Sequence, residues 1–184
     1  QIDANFLILW GNDSEKMIEY FHKKFKPNSI SINLFRYHSL KHPKLPDYLV
    51  NSYNNAYNKY FSLIDDNDIS GLRSVFKKIF VIKDKIQKHI ITKVAKFDEF
   101  VTPCTAGNLS YVIMEDGSLK PCEILDDKIG NVIHDNNIKN IFKSEKAKKL
   151  RNSIVETKCK CTYECAMSTN ALFSWPMTFK YFKM

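Results

Sequence analysis

The chain has 184 residues, which is enough for one domain, or for one domain and part of another. Its 44% hydrophobic residues, 26% charged residues, five glycines and six prolines are typical of a globular protein and exclude extensive disorder. The net charge of +8 is spread along the chain without a basic, aromatic-interleaved stripe, so it does not favour nucleic-acid binding. No apolar run approaches the roughly 20 residues of a membrane span, and no basic flank precedes a signal-type segment. We therefore expect a cytoplasmic protein that is not embedded in a membrane.

The first part of the chain has the pattern of a strand, a helix and a second strand. The run "NFLILWGN" is typical of a buried strand, and "SISINLF" is a β-branched run that indicates another. Between them, Asp13 or Ser14 could cap a helix that ends at Pro27. Its predicted inner face has apolar residues at helical spacing, namely Met17, Ile18, Phe21 and Phe25. This order predicts a parallel βαβ unit with uncovered sheet edges.

Two further helices are predicted before the first cysteine. One spans about Tyr48 to Ile64, with Leu49, Tyr53, Ala56, Tyr57, Tyr60 and Phe61 facing inward. The other spans about Gly71 to Val94, with a break near Lys83. Its predicted apolar stripe contains Leu72, Val75, Phe76, Ile79 and Phe80. The lysines between these positions are expected to form a solvated face.

All five cysteines lie in the second half of the chain, and none occurs in the first 103 residues. They are Cys104, Cys122, Cys159, Cys161 and Cys165. A secreted disulfide scaffold would be shorter and denser in cysteine, so this pattern favours a metal site. Four thiolates are a frequent ligand set for zinc or for an iron–sulfur cluster, which would leave one thiol spare.

The segment between the first two cysteines carries a hairpin signal. Asp116 and Gly117 separate "SYVIM" from "SLKPC", and an Asp-Gly pair between strand-like runs predicts a tight turn. Such a hairpin would bring Cys104 close to Cys122 despite the distance between them in sequence. A short returning strand is expected at "IGNVI", a helical turn at "IKNIF", and a helix at "SEKAKKLRNSIVE" that Ser144 could cap.

From Cys104 to about Phe173 the sequence resembles the SPASM or twitch auxiliary-cluster domain of radical S-adenosylmethionine enzymes. The matching segments are "CTAG", "DGSLKPC", "IGNV", "IFKSEKAKKLR", "CKCTYEC" and "NALF". This resemblance implies that the first part is the end of a partial (β/α) barrel. The expected fold is thus α/β followed by α+β, with residues 1–96 as the barrel portion and helical linker and residues 97–184 as the cysteine-rich module.

Two departures from the family pattern limit what the resemblance implies. The C-x3-C-x2-C motif that binds the S-adenosylmethionine cluster is absent, because no cysteine precedes Cys104. Together with the first residue, Gln1, this suggests that the chain is a portion of a larger enzyme. The chain alone is expected to be inactive, and S-adenosylmethionine is expected to bind only to the full-length parent. Five cysteines, fewer than the SPASM pattern of about seven, imply one auxiliary [4Fe-4S] cluster. The implied ligands are Cys104, Cys122 and Cys165, with Cys161, which we favour, or Cys159 as the fourth.

The implied function is that of an auxiliary cluster region in a radical enzyme, where the cluster transfers electrons or anchors a peptide or small-molecule substrate. The alternative from another class is a zinc-stabilised interaction module without catalytic activity. Self-association is expected through the uncovered sheet edge or through residues near Trp10 and Phe35.

A few residues outside the cysteine clusters are candidates for binding. Arg36 follows the second predicted strand, where α/β proteins gather cofactor and substrate sites. His38 and His42 lie in a loop whose spacing gives little support for a metal site. Trp10 and Trp175 are most simply core residues.

Overall fold

The computed structural model is rich in helices and describes residues 3–8, 13–27, 29–36, 44–64, 72–135 and 137–173. The predictions for Trp10, His38, His42 and Trp175 lie outside the described residues. The elements in chain order are β1 Asp3–Ile8, α1 Ser14–Phe25, β2 Ser29–Leu34, α2 Asp47–Ile64, α3 Leu72–Phe97, β3 Val112–Ile113, β4 Ser118–Lys120, β5 Gly130–Asn131, α4 Ile138–Lys143, α5 Glu145–Glu156 and α6 Glu164–Phe173. No helix within those ranges is both long enough and apolar enough to cross a membrane.

Strands β1 and β2 form the predicted parallel pair, with α1 between them. Their register runs from Asp3 opposite Ser29 to Ile8 opposite Leu34. This confirms a βαβ unit. In the described part of the chain the pair is a two-stranded sheet, so a partial barrel is not shown.

Helix α1 differs from its prediction at the cap and on the inner face. Asp13 takes the N-cap position in a left-handed conformation, but its side chain makes no capping hydrogen bond. The hydroxyl of Ser14 instead lies 2.9 Å from that of Ser52 on α2. Ile18 is buried, whereas Met17 and Phe25 are exposed. The predicted face was therefore too wide, because α2 covers only part of it.

The main core is built by β2, α2, the second half of α3 and α6. All six predicted inner residues of α2 are buried. Helix α3 is continuous, so the predicted break near Lys83 is wrong. Of the predicted stripe, Ile79 and Phe80 are 38% and 61% exposed, so their predicted burial is wrong. The predictions for the side chains of Leu72, Val75 and Phe76 lie outside the described residues. Among the described side chains of α3, the buried ones are Ile86, Gln87, Ile90, Ile91, Val94 and Ala95.

A second, smaller core lies under the predicted hairpin. Strands β3 and β4 are antiparallel, and β5 returns beside β4, as predicted. Gly117 closes the turn with φ of 77°, and a Cβ there would lie 2.6 Å from the Ile133 side chain, so only glycine suits this position. The Ser144 hydroxyl caps α5 by accepting a hydrogen bond from the Ala147 backbone N–H at 3.1 Å, which confirms that prediction. The buried residues here are Leu119, Ile129, Ile141 and Ala147.

The carboxyl group of Glu164, at the start of α6, lies inside the main core. Its Oε1 accepts hydrogen bonds from the Tyr53 hydroxyl at 3.2 Å and from the Leu34 backbone N–H at 3.4 Å. The side-chain amide of Gln87 on α3 donates to the other carboxyl oxygen. Burial raises the pKa of Glu164 to about 7, which the hydrogen bonds only partly offset. One side chain therefore joins α6 to β2, α2 and α3.

We predict that Glu164→Ala destabilises the protein by about 1–3 kcal/mol, because it removes the carboxyl oxygen that accepts from the Tyr53 hydroxyl and leaves the Gln87 amide with only the residue 164 carbonyl. Urea unfolding would measure this change. Glu156→Ala is the matched control, since Glu156 is exposed at the end of α5. Equal unfolding free energies for the two variants would contradict a structural role for the buried carboxyl group.

Candidate metal centre

The five cysteines come from three separate parts of the fold. Cys104 lies in the loop that follows α3, and Cys122 follows β4 at the end of the hairpin. Cys159 and Cys161 lie in the connection between α5 and α6, and Cys165 is in the first turn of α6. No disulfide links them. A site built from these thiols therefore depends on tertiary packing.

Four of the five thiols interact with one another. Cys104 and Cys159 share a hydrogen bond between their side chains. Cys161 interacts electrostatically with Cys104 and Cys122, and Cys159 interacts with Cys122 and Cys161. The hairpin thus brings Cys104 and Cys122 to one region, as predicted from the sequence.

Backbone N–H groups point at three of these sulfur atoms. The N–H of Leu125 donates to Cys122 Sγ at 3.5 Å. The N–H of Ala106 donates to the Cys104 sulfur, and that of Tyr163 donates to the Cys161 sulfur. In each case the donor lies two or three residues after the cysteine. N–H donors of this kind favour electron-rich sulfur, as in thiolates that bind iron–sulfur clusters.

The electrostatics of the four thiols oppose simultaneous ionisation. The hydrogen bond from Cys159 lowers the pKa of Cys104, and the same contact raises the pKa of Cys159. Burial raises the pKa of Cys161 to about 12, and negative charge on Cys104 and Cys122 adds to that rise. A bound metal supplies the positive charge that lets neighbouring thiols deprotonate together.

The loop of Cys159 and Cys161 is held at both sides by residues of the first part of the chain. Helix α5 ends at Glu156, Lys158 shortly after it is left-handed, and the Cys159 backbone N–H donates to the Ile154 carbonyl at 3.0 Å. The Lys160 ammonium lies 2.9 Å from an Asp98 carboxylate oxygen just after α3. The Thr162 hydroxyl donates to the Phe35 carbonyl at 2.9 Å. These contacts fix the loop between the end of α3 and the end of β2.

Asn170 on α6 holds the loop of Cys104. Its Oδ1 accepts hydrogen bonds from the Thr105 backbone N–H at 2.8 Å and from the Thr105 hydroxyl at 2.7 Å. Its side chain also forms a hydrogen bond with Cys104. Sequence reasoning assigned no role to Asn170, although the residue lies in the "NALF" segment. Asparagine at a buried helix position was the available signal, because a buried amide requires partners.

Cys165 has a different environment from the other four thiols. It is exposed, and its side chain contacts the Tyr163 hydroxyl. It also lines a cavity of about 410 Å³, together with Asn33, Leu34, Phe35, Arg36, Tyr163 and Glu164. Its predicted place beside Cys104 and Cys122 stays a prediction.

Arg36 lies at the mouth of the same cavity, at the carboxyl end of β2 as predicted. Its guanidinium stacks over the Tyr163 ring at 4.4 Å from the centroid. It also forms an ion pair of 2.6 Å with Glu123, the residue after Cys122. Arg36 thereby connects the end of the parallel strands to the loop that carries one of the four thiols.

The side chains of this site are of the type that binds iron–sulfur clusters. It consists of four soft thiols, three of which accept backbone N–H groups. Within the part of the chain that the structure describes, no three His, Cys, Asp or Glu side chains are grouped closely enough to hold a single metal ion. Cys104, Cys122, Cys159 and Cys161 are the residues that would hold a cluster at this place.

Comparison with known proteins gives a family match for part of the chain. Residues 104–166, about a third of the chain, match the model of the SPASM family, an iron-sulfur cluster-binding domain. This match confirms the resemblance inferred from the cysteine motifs. Searches of curated proteins and of solved structures give no significant match. Residues 104–166 are thus similar to the SPASM iron–sulfur cluster-binding domain.

Proposed function

We propose that this chain is the auxiliary-cluster region of a radical S-adenosylmethionine oxidoreductase, with one [4Fe-4S] cluster on the thiols of its SPASM segment. The observation that carries the proposal is the convergence of four thiols from three parts of the fold. Three of the sulfurs accept backbone hydrogen bonds, which an apolar cysteine cluster would not require. The family match independently supports iron–sulfur binding.

The contacts among the thiols favour Cys104, Cys122, Cys159 and Cys161 as the ligand set. The family resemblance implies a different set, in which Cys165 replaces one member of the pair Cys159 and Cys161. Cys104 and Cys122 belong to both sets. Full ligation by four thiolates would suit electron transfer, whereas an open iron would suit direct contact with a substrate.

The chain's own residues have three tasks in this proposal. The hairpin and the loop before α6 hold the thiols, and the backbone N–H groups offset part of the negative charge on sulfur. The two loops are fixed to the first part of the chain by Arg36 and Lys160. When bound, the cluster supplies a site for one-electron transfer. The C-x3-C-x2-C motif would come from another part of the parent enzyme.

The cavity beside Arg36 is the proposed contact with the substrate of the parent enzyme. Its volume of about 410 Å³ is within the range of small-ligand sites. Arg36 offers a cation at its mouth, and the Tyr163 ring is part of its wall. A carboxylate of a peptide or small molecule could replace Glu123 as the partner of the guanidinium.

We predict that the chain, purified anaerobically and reconstituted with iron and sulfide, binds about four irons and four sulfides and shows broad absorption near 400 nm. Single serine variants at the five cysteines should separate the two ligand sets. On the contacts described, Cys104→Ser, Cys122→Ser, Cys159→Ser and Cys161→Ser lose cluster content, and Cys165→Ser retains it.

Two results would change this assignment. Loss of iron in Cys165→Ser with full retention in Cys159→Ser or Cys161→Ser would support the ligand set implied by the family resemblance. A colourless wild-type protein with stoichiometric zinc, and no uptake of iron, would contradict the iron–sulfur function. It would favour a zinc-stabilised module instead.

We predict that removal of the metal loosens the small core more than the main core. In the described part of the chain the small core has four buried apolar residues, so metal-binding free energy would contribute a large share of its stability. Hydrogen exchange of loaded and metal-free protein should show lost protection in β3, β4, β5, α4 and α5. Helices α2, α3 and α6 should stay protected, because they share the main core. A uniform loss of protection along the chain would contradict this division.

We predict that Arg36→Ala lowers the free energy of unfolding by at most about 1 kcal/mol, because the ion pair with Glu123 is solvent-exposed and the stacking on Tyr163 is a single contact. Chemical denaturation checks this value. Arg36→Lys is the matched control, since it keeps the positive charge and removes the planar guanidinium group. A loss of several kcal/mol in Arg36→Ala would assign Arg36 to the fold rather than to substrate binding.

A further inference from the structure

We infer that Asn170 is a positioning residue for the cluster, which orients Cys104 and donates an N–H group to its sulfur. The inference rests on the proposed function, because it concerns a thiolate of that cluster. Asn170 lies beyond the segment that matches the SPASM family. Both proposed ligand sets contain Cys104, so the inference does not depend on the choice between them.

The hydrogen bonds of Asn170 with Thr105 determine the orientation of the Asn170 side-chain amide. The Thr105 backbone N–H can only donate, so the atom 2.8 Å from it must be the side-chain oxygen. The Thr105 hydroxyl donates to the same oxygen at 2.7 Å. The NH₂ group of Asn170 therefore faces away from Thr105. Its described partners are both sulfur atoms, those of Met167 and Cys104.

The Asn170 side chain is buried, so its amide depends on partners within the protein. Asn170 is 2% exposed, so water cannot replace a missing partner of its amide. Ala171, which follows it on α6, belongs to the main core. The oxygen of Asn170 thus ties the loop of Cys104 to a helix whose position the core determines, while its NH₂ group contributes a hydrogen bond to sulfur.

This arrangement has an electronic consequence for a bound cluster. Hydrogen bonds to cluster sulfurs stabilise the reduced form, which carries more negative charge, and so raise the reduction potential. The Ala106 backbone N–H already donates to the Cys104 sulfur. Asn170 adds a second donor that, unlike a backbone group, can be removed by mutation.

The test uses the full chain, reconstituted with iron and sulfide, and two substitutions of Asn170. Asn170→Asp keeps an oxygen acceptor for Thr105 and removes the NH₂ donor, whereas Asn170→Leu removes both. Thr105→Val is the matched control, because it loses the hydroxyl contact and keeps both the backbone N–H and the Asn170 donor. The readouts are the iron and sulfide content, the reduction potential of the cluster, and hydrogen exchange at the Thr105 amide.

The expected pattern separates the two roles of Asn170. The reduction potential should fall in Asn170→Asp and in Asn170→Leu, and should stay at the wild-type value in Thr105→Val. The Thr105 amide should remain protected in Asn170→Asp and lose protection in Asn170→Leu. Asn170→Leu should also take up less iron than the wild type, because the loop of Cys104 is released.

Unchanged potentials in both Asn170 variants, with a wild-type protein that binds the cluster, would overturn the inference and leave the proposed function intact. A fall in potential confined to Asn170→Asp would also overturn it, because the added charge alone would explain that result. Failure of the wild-type protein to bind iron and sulfide would instead overturn the proposed function, and the inference with it.

Discussion

The burial of the Glu164 carboxyl group is the constraint on which the cysteine-rich region depends. A carboxyl group in an apolar core is unfavourable unless donors surround it, and here the donors come from β2, α2 and α3. This requirement fixes the start of α6 against all three elements. The loop of Cys159 and Cys161 leads directly into that point, and Asn170 lies further along the same helix. The positions of several thiols therefore follow from one buried polar contact.

The buried apolar residues form two cores of unequal size. The main core contains residues from both the parallel-strand part and α6, so the cysteine-rich region is not an independent unit in its packing. The small core under the hairpin is closed by contacts such as the pair of Tyr111 and Phe142, whose ring centroids are 4.6 Å apart. Cys161 belongs to the main core, and Cys122 follows β4 of the hairpin. A cluster bound by these thiols would link the small core to the main core and add its binding free energy to the stability of the small core.

The sequence predicted the features that local chemistry determines. The Asp-Gly turn, the returning strand, the Ser144 cap and the parallel strand order all depend on residues close to one another in sequence. The continuity of α3 and the exposure of Phe80 depend on which part of the helix α6 covers, which no local pattern reports. The same holds for the bonds of Asn170 to Thr105, 65 residues away. The place of Cys165 beside Cys104 and Cys122 follows from the family pattern and stays a prediction.

The most direct test of the account is an anaerobic crystal structure of the reconstituted chain with anomalous diffraction data collected at the iron edge. The account predicts a strong iron peak among the thiols of Cys104, Cys122, Cys159 and Cys161, with the Asn170 amide directed at the sulfur of Cys104. An anomalous signal at the zinc edge alone, or iron bound away from these thiols, would contradict the central claim that they hold an iron–sulfur cluster.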